Sequence, residues 1–118
     1  MSRRVAPHNA RFWSIPARFD GGALYVAELA SGVIKVGCSE CPRHRLVLLS
    51  HEAKREHGTD ISRFHVGHPL GRRSRYHVET SLIRKMQDIG QPVDGRREYF
   101  SGVPFEVAVA LLSEVGAA

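Results

Sequence analysis

Two charged residues occupy helical positions where the sequence pattern asks for apolar side chains. In a helix predicted over about residues 74–89, Glu79 falls inside the apolar arc that includes Leu82 and Met86. In an earlier predicted helix, Arg45 falls in an apolar stripe with Leu49. Burying a charge costs free energy unless the group is paired or binds a metal. An acid and a base are therefore expected to face the rest of the fold, one from each helix.

Two interpretations of this acid and base are open. In the first, Arg45 and Glu79 form a structural ion pair at the boundary of the core. In the second, they belong to a partly buried active site, where Arg45 holds a phosphate group and Glu79 holds a divalent cation. The periodicity of the helices does not decide between these interpretations.

The composition favours a polyanionic partner. The 118 residues carry a formal net charge of +5, and most of the basic side chains are arginines that occur in groups. These groups are Arg3 and Arg4; Arg43 and Arg45; Arg72, Arg73 and Arg75; and Arg96 and Arg97. Because the guanidinium fork matches phosphate oxygens, we expect nucleic acid as the partner, with ordinary solubility as the alternative explanation of the charge.

No segment of the sequence is typical of a membrane protein or of a secretory signal. No apolar run approaches the roughly 20 residues that a membrane span needs. The N-terminus has positive charges without a continuous apolar stretch behind them, which is a poor signal peptide. We therefore expect an intracellular, cytoplasmic protein.

The elements that must position these residues follow from local patterns. Residues 23–29 and 33–37 predict a β-hairpin around the turn Ser31-Gly32, and residues 61–66 predict a third strand. Helices are predicted over about 42–57, 74–89 and 104–115, with a short extended piece at 98–100. The expected fold is α+β, a small antiparallel three-stranded sheet flanked by helices in the order β-β-α-β-α with a C-terminal helix.

The chain divides into an arm and one domain. Residues 1–20 form a basic N-terminal arm without clear periodicity, and residues 21–118 form a single domain. Phe12 and Trp13 are expected to anchor the arm on the domain, and stacking on unpaired bases is the alternative.

The order and spacing of five short motifs resemble those of the GIY-YIG nuclease superfamily. Ala23-Leu24-Tyr25 is similar to the first motif and Lys35-Val36-Gly37 to the second. Arg45 stands where that superfamily has its helix arginine, and Glu79 stands where it has its metal-binding glutamate. The segment Glu98-Tyr99-Phe100 resembles the ending of the phage-type DNA-binding branch. The resemblance covers about residues 22–115.

The resemblance implies phosphodiester hydrolysis at a single divalent metal, Mg²⁺ or Mn²⁺. It implies that Glu79 binds the metal, that Arg45 stabilises charge on the phosphate, and that Tyr25 orients or deprotonates the attacking water. Lys35 stands in place of the tyrosine of the second motif, and we expect it to lower the pKa of Tyr25. Gly37 is expected to be a structural turn between the strand and the helix.

Further basic residues are expected to hold the DNA backbone on both sides of the metal, with a solvated loop as the alternative. They are Arg43, Arg72, Arg73, Arg75, His77, Arg96 and Arg97. Whether the DNA is single-stranded or duplex stays open, as does the presence of a homodimer or a targeting partner. A phage or mobile-element origin fits a nuclease of this size.

Two other functions remain as alternatives to a DNA endonuclease. The first is a DNA-binding module of the same fold that does not cleave. The second is a protein-interaction adaptor stabilised by zinc, because Cys38 and Cys41 form a Cys-x-x-Cys motif with His44 close behind. A structural zinc site wants four ligands, and the sequence has no second cysteine pair. Two reduced cysteines in a loop are the expected state.

Overall fold

The computed structural model describes residues 7–117, which form five strands and four helices. The strands are β1 (Ala23–Leu29), β2 (Ile34–Ser39), β3 (Ile61–Val66), β4 (Gln91–Val93) and β5 (Arg96–Ser101). The helices are α1 (Pro7–Ala10), α2 (Pro42–His57), α3 (Arg75–Ile89) and α4 (Phe105–Ala117). The strands form one antiparallel sheet in the order β3-β1-β2-β5-β4.

The α+β class with an antiparallel sheet and flanking helices is confirmed, but the prediction of a three-stranded sheet is wrong. The extra strands come from a second hairpin, in which β4 and β5 pair across a tight turn at Asp94 and Gly95. Both turn residues have positive φ, 52° and 69°, as an Asp-Gly hairpin turn requires. The flanking residues are mostly polar and exposed, so the sequence shows no apolar alternation there that would predict strands.

The predicted long helices are confirmed, because their ends carry strong local signals. Pro42 stands at the start of α2, where its missing N–H is no loss, and Gly58 ends the helix with a left-handed φ of 62°. Ser74 caps α3 by accepting a hydrogen bond from the His77 N–H at 3.4 Å. Within the described part of the chain, no helix is long and apolar enough to cross a membrane.

The sheet separates two layers with different chemistry. We call the side covered by α3 and α4 the α3/α4 face, and the side covered by α2 and the arm the α2 face. Alternation along β1 sends Leu24 and Val26 to the α3/α4 face and Tyr25 to the α2 face. The same alternation along β2 sends Ile34 and Val36 to the α3/α4 face and Lys35 to the α2 face. The α2 face thereby receives Tyr25 and Lys35, whereas Glu79 lies on α3.

The described part of the arm packs on the α2 face. Phe12 is fully buried there, and Ile15 is nearly so. Arg11 donates a hydrogen bond to Asp60 at 2.9 Å and another to the carbonyl of Ile61, which ties the arm to the start of β3. The predicted anchoring therefore holds for Phe12, whereas Trp13 is 51% exposed. The basic residues 3–4 lie outside the described residues.

Candidate active site

Tyr25 and Gly37 are direct partners in the antiparallel register of β1 and β2. A Cβ atom added to Gly37 would lie 2.4 Å from the Tyr25 hydroxyl oxygen, far inside van der Waals contact. Gly37 lies within β2 and has no positive φ, so the predicted structural turn is wrong. The position requires glycine for another reason, because the phenol of Tyr25 crosses the space that any side chain would fill.

Arg45 reaches the Tyr25 hydroxyl from α2. Burial raises the pKa of Tyr25 above its ordinary value, and the nearby Arg45 guanidinium opposes that rise without cancelling it. Tyr25 therefore keeps its proton at neutral pH. The cation that acts on this phenol is Arg45 and not the predicted Lys35. Arg45 also lies 3.5 Å from the carboxylate of Glu52, which stands seven positions further along α2.

Lys35 is almost fully buried, with a side chain that is 2% exposed. Its ammonium group donates one hydrogen bond to the Val36 carbonyl at 2.9 Å and another to the carboxylate of Glu98. The rings of Tyr25 and Tyr99 flank it, with centroids 5.7 and 5.3 Å from Nζ. Burial lowers the pKa of Lys35 and outweighs the opposing effect of Glu98.

Glu98 belongs to the site, although it was not among the predicted site residues. Burial alone would raise its pKa, but the hydrogen bond and charge of Lys35 hold that pKa below its usual range. Glu98 is therefore ionised at neutral pH and fixes the ammonium group of Lys35 in place. The one signal in the sequence that placed Glu98 near the site was the Glu98-Tyr99-Phe100 segment, the last of the five motifs.

Glu79 approaches the site from α3. Strand β5 pairs with β2 only at Ile34 and Lys35, so the rest of that edge of β2 has no strand partner, and α3 contacts both β2 and β5. The charge of Glu79 acts on both Lys35 and Cys38. Among residues 7–117, no cation lies within 4.0 Å of the half-buried Glu79 carboxylate, and Arg45 pairs with Glu52 instead. The structural Arg45–Glu79 ion pair is therefore not formed.

A strongly cationic cleft opens beside Lys35. Its volume is about 330 Å³, and it is lined by Lys35, Arg45, Arg96, Arg97, Glu98 and Tyr99. Four cations against one carboxylate leave the lining with an excess of positive charge. Arg96 stacks on the Tyr99 ring, with its guanidinium carbon 4.2 Å from the centroid. The arrangement suits a phosphate group, because each guanidinium offers several donors in one plane.

The other basic residues predicted to bind DNA lie in different places. Arg72 and His77 are exposed near the start of α3, and the nearby Arg75 lies 3.6 Å from the Glu40 carboxylate. Arg73 instead donates hydrogen bonds to the carbonyls of Val115, at 2.9 Å, and of Gly116, at the end of α4. That contact stabilises the helix terminus and occupies the guanidinium.

Arg43 also lies outside the cationic cleft. It stacks on Trp13, with its guanidinium carbon 4.4 Å from the ring centroid, on the side of α2 where the arm packs. The predicted set therefore divides into a cleft pair, Arg96 and Arg97, and residues that lie elsewhere on the surface.

The described residues contain no group of three or more His, Cys, Asp or Glu side chains that could hold a metal ion. Cys38 and Cys41 are free thiols, and burial raises the pKa of Cys38 to about 11. A magnesium site needs fewer protein ligands than a structural zinc site, because Mg²⁺ keeps several waters and uses one or two carboxylates together with substrate phosphates. A single unpaired carboxylate beside a cationic cleft fits that requirement, and Glu79 is that carboxylate.

Comparison with protein-family models, with curated proteins and with solved structures found no match. Membership of the GIY-YIG superfamily therefore stays a prediction from the five motifs.

Proposed function

We propose that this protein is a metal-dependent endonuclease that hydrolyses phosphodiester bonds in DNA. The observation that supports this most directly is the meeting of Lys35 and Arg45 at one cationic cleft, with the buried Tyr25 in contact with Arg45 and the unpaired carboxylate of Glu79 close to Lys35. These residues come from two strands and two helices. Phosphoryl transfer needs such a combination of positioning and positive charge.

The arginines of the cleft bind the DNA backbone in this proposal. Arg96 and Arg97 extend from β5 at the mouth of the cleft and hold phosphates beside the reacting one. Arg45 stabilises the negative charge that develops on the reacting phosphate. Lys35 adds a second positive charge, and Glu98 keeps its ammonium group in place.

Tyr25 orients the attacking water. Since burial raises its pKa, the phenol keeps its proton and offers one donor and its acceptor lone pairs to a water molecule at neutral pH. Of the two roles that the resemblance implied for Tyr25, orientation of the water is the one that this protonation state favours. The neighbouring Arg45 places the phosphate next to that water.

The metal completes the site at Glu79. Glu79 would hold Mg²⁺ or Mn²⁺ through its carboxylate, and the metal would supply positive charge to the phosphate oxygens.

A DNA-binding module that does not cleave is the second candidate. Two observations favour it: Tyr25 is not a base at neutral pH, and the ammonium group of Lys35 is already bonded to Glu98. Such a module would use the same cationic cleft for the DNA backbone, and Mg²⁺ would not change its affinity.

The deciding experiment incubates labelled single-stranded and duplex DNA with the protein in Mg²⁺, in Mn²⁺ and in EDTA. The Glu79→Gln variant removes the metal-binding charge and keeps the shape, and we expect cleavage to fall by about 10²–10³-fold, the usual loss when one group that stabilises developing charge is removed. The control is Glu114→Gln, an exposed residue of α4 that pairs with Lys85. Binding without metal-dependent cleavage would establish the second candidate, and full cleavage by Glu79→Gln would contradict the first.

A further inference from the structure

A second cleft lies on the opposite side of α2 from the cationic cleft, between the arm and the start of that helix. Its volume is about 360 Å³, and its walls include Asn9, Trp13, Cys41, Arg43 and Val47. None of these residues lines the cationic cleft.

Trp13 contributes a large exposed aromatic surface to this second cleft. Its neighbours Phe12 and Ile15 are 0% and 7% exposed and hold the arm, whereas Trp13 is 51% exposed. The Arg43 guanidinium stacks on the ring at 4.4 Å from its centroid. The arm is anchored without Trp13, so anchoring does not explain an indole at this position. A half-exposed aromatic ring beside an arginine is the kind of surface on which unpaired nucleobases stack.

Asn9 adds a hydrogen-bond acceptor without a partner. Its side-chain oxygen is buried, and no donor among the described residues reaches it. A buried acceptor normally has a partner, because desolvation without a hydrogen bond is unfavourable. Asn9 lines the same cleft as Trp13, so a turn of its side chain would present this oxygen to the exocyclic amino group of a nucleobase, which is a donor of the right kind.

The start of α2 is electropositive and therefore favours a phosphate. Cys41, the residue that precedes the helix, makes no side-chain cap, and the first turn contains no acidic residue. Pro42 has no N–H, so the N–H groups of Arg43 and His44, together with the helix dipole, are what favours an anion here. Arg43 and His44 stand in this turn and line the cleft.

We propose that the second cleft binds one unpaired nucleotide of a DNA strand. The base stacks on Trp13, its amino group donates to Asn9 Oδ1, and its phosphate lies at the start of α2 beside Arg43. The protein would therefore select DNA that contains a single-stranded segment. This inference rests on the proposed function for DNA as the ligand, but it concerns binding and does not depend on cleavage.

Trp13 is the only tryptophan of the chain, so tryptophan fluorescence, excited where tyrosine does not absorb, reports on this cleft alone. The protein is titrated in EDTA, where no metal-dependent cleavage occurs, with short oligonucleotides of dC, of dT and of a fully paired duplex. We expect quenching by the single strands and little quenching by the duplex. Oligo-dC should bind about fivefold more tightly than oligo-dT, because thymine has no amino group to donate to Asn9. Equal quenching by duplex and single strand, or no quenching, would overturn the proposal.

Variants separate the contributions of the two contacts. By fluorescence anisotropy of a labelled oligo-dC, Trp13→Ala should lower affinity by about tenfold, the usual size of one lost stacking contact. Asn9→Ala should abolish the preference for oligo-dC over oligo-dT and leave the quenching of Trp13 in place. Tyr76→Ala removes an aromatic ring that is 69% exposed on α3, outside the cleft, and should change neither quantity. A Tyr76→Ala effect as large as that of Trp13→Ala would show that any exposed ring suffices, which contradicts a built site.

The outcomes for this cleft and for the proposed function are distinguishable. Quenching of Trp13 by single strands without cleavage in Mg²⁺ would support the nucleotide cleft and contradict the endonuclease. Cleavage that needs Glu79, without quenching of Trp13, would support the endonuclease and overturn the cleft. No affinity for either form of DNA would overturn both.

Discussion

The two faces of the sheet differ in what they bury. The α3/α4 face is covered by apolar side chains such as Leu24, Val36 and Phe100, which are at most 1% exposed. The α2 face buries Lys35 and Ser50. Among residues 9–117, these are the two buried residues that are polar or charged. The first face gains stability from burial of apolar area, which needs no particular partner. The stability of the α2 face depends on specific pairs of side chains. A substitution there should therefore be able to change activity without an equal change in stability.

The largest loss of stability is expected on the α3/α4 face. Phe100→Ala removes a fully buried ring and should lower the free energy of unfolding by about 3–5 kcal/mol, measured by urea denaturation. Val107→Ala, at a position of α4 that is 40% exposed, should change it by no more than about 0.5 kcal/mol. A small effect of Phe100→Ala would mean that this face is not the main source of stability.

Gly37→Ala tests the close packing of the α2 face. The new methyl group would meet the Tyr25 hydroxyl at 2.4 Å, so we expect a loss of about 1–3 kcal/mol and a displaced phenol with lower cleavage. Gly116→Ala is the control, because its methyl group meets nothing within 4 Å in α4 and should stabilise the helix by about 0.5–1 kcal/mol. In a Tyr25→Ala background the cost of Gly37→Ala should shrink, since the clash is gone. If Gly37→Ala costs as much stability in the Tyr25→Ala background as in the wild type, the cost comes from the backbone and not from the clash with the phenol.

Asp60 gives the α2 face a stability that depends on pH. Burial would raise its pKa, but hydrogen bonds from Ser50 and the Ile61 N–H, with the charges of Arg11 and Lys54, hold it below the usual value. A lowered folded pKa contributes stability above the unfolded pKa, about 3.9, and that stability is lost as pH falls through the folded value.

The Asp60→Asn variant should therefore be less stable than the wild type by about 1 kcal/mol at pH 7, since an amide keeps the acceptor but loses the charge. Thermal unfolding measured from pH 7 to pH 2 should show the two proteins converge at the acid end. Asp88→Asn, at an exposed position of α3, is the control. Parallel curves for wild type and Asp60→Asn would contradict the role of this carboxylate.

Lys35→Met should produce the smallest change in stability of the four. The methionine fills nearly the same volume without a buried charge, and the 40% exposed Glu98 side chain regains water, so we expect a change within about 1 kcal/mol. Cleavage should fall sharply, because the cleft loses a cation. A Lys35→Met protein that cleaves normally at every pH would show that this ammonium group is only structural.

Local signals were sufficient for most of the secondary structure. Pro42 and Gly58 predicted both ends of α2, and β-branched residues around Ser31-Gly32 predicted the first hairpin. The second hairpin was missed, because Gln91–Val93 is short, contains a proline, and becomes a strand only by pairing with β5. Tertiary context decides such short edge strands.

Periodicity and motif order were sufficient to identify most of the residues at the candidate site. Periodicity singled out Arg45 and Glu79, and motif order added Tyr25 and Lys35. These inferences use positions a few residues apart on one element, where geometry is fixed by the helix or strand.

The partners of these residues, in contrast, depend on how the distant parts of the chain pack together. Lys35 bonds to Glu98, 63 positions away, and Arg45 turns to Glu52 rather than to Glu79. The need for glycine at Gly37 likewise depends on a phenol from the neighbouring strand. Such contacts depend on strand register and on how each helix sits on the sheet, which no local pattern specifies. The pKa values of Tyr25 and Lys35 follow from that burial, so the protonation states of the site are properties of the fold.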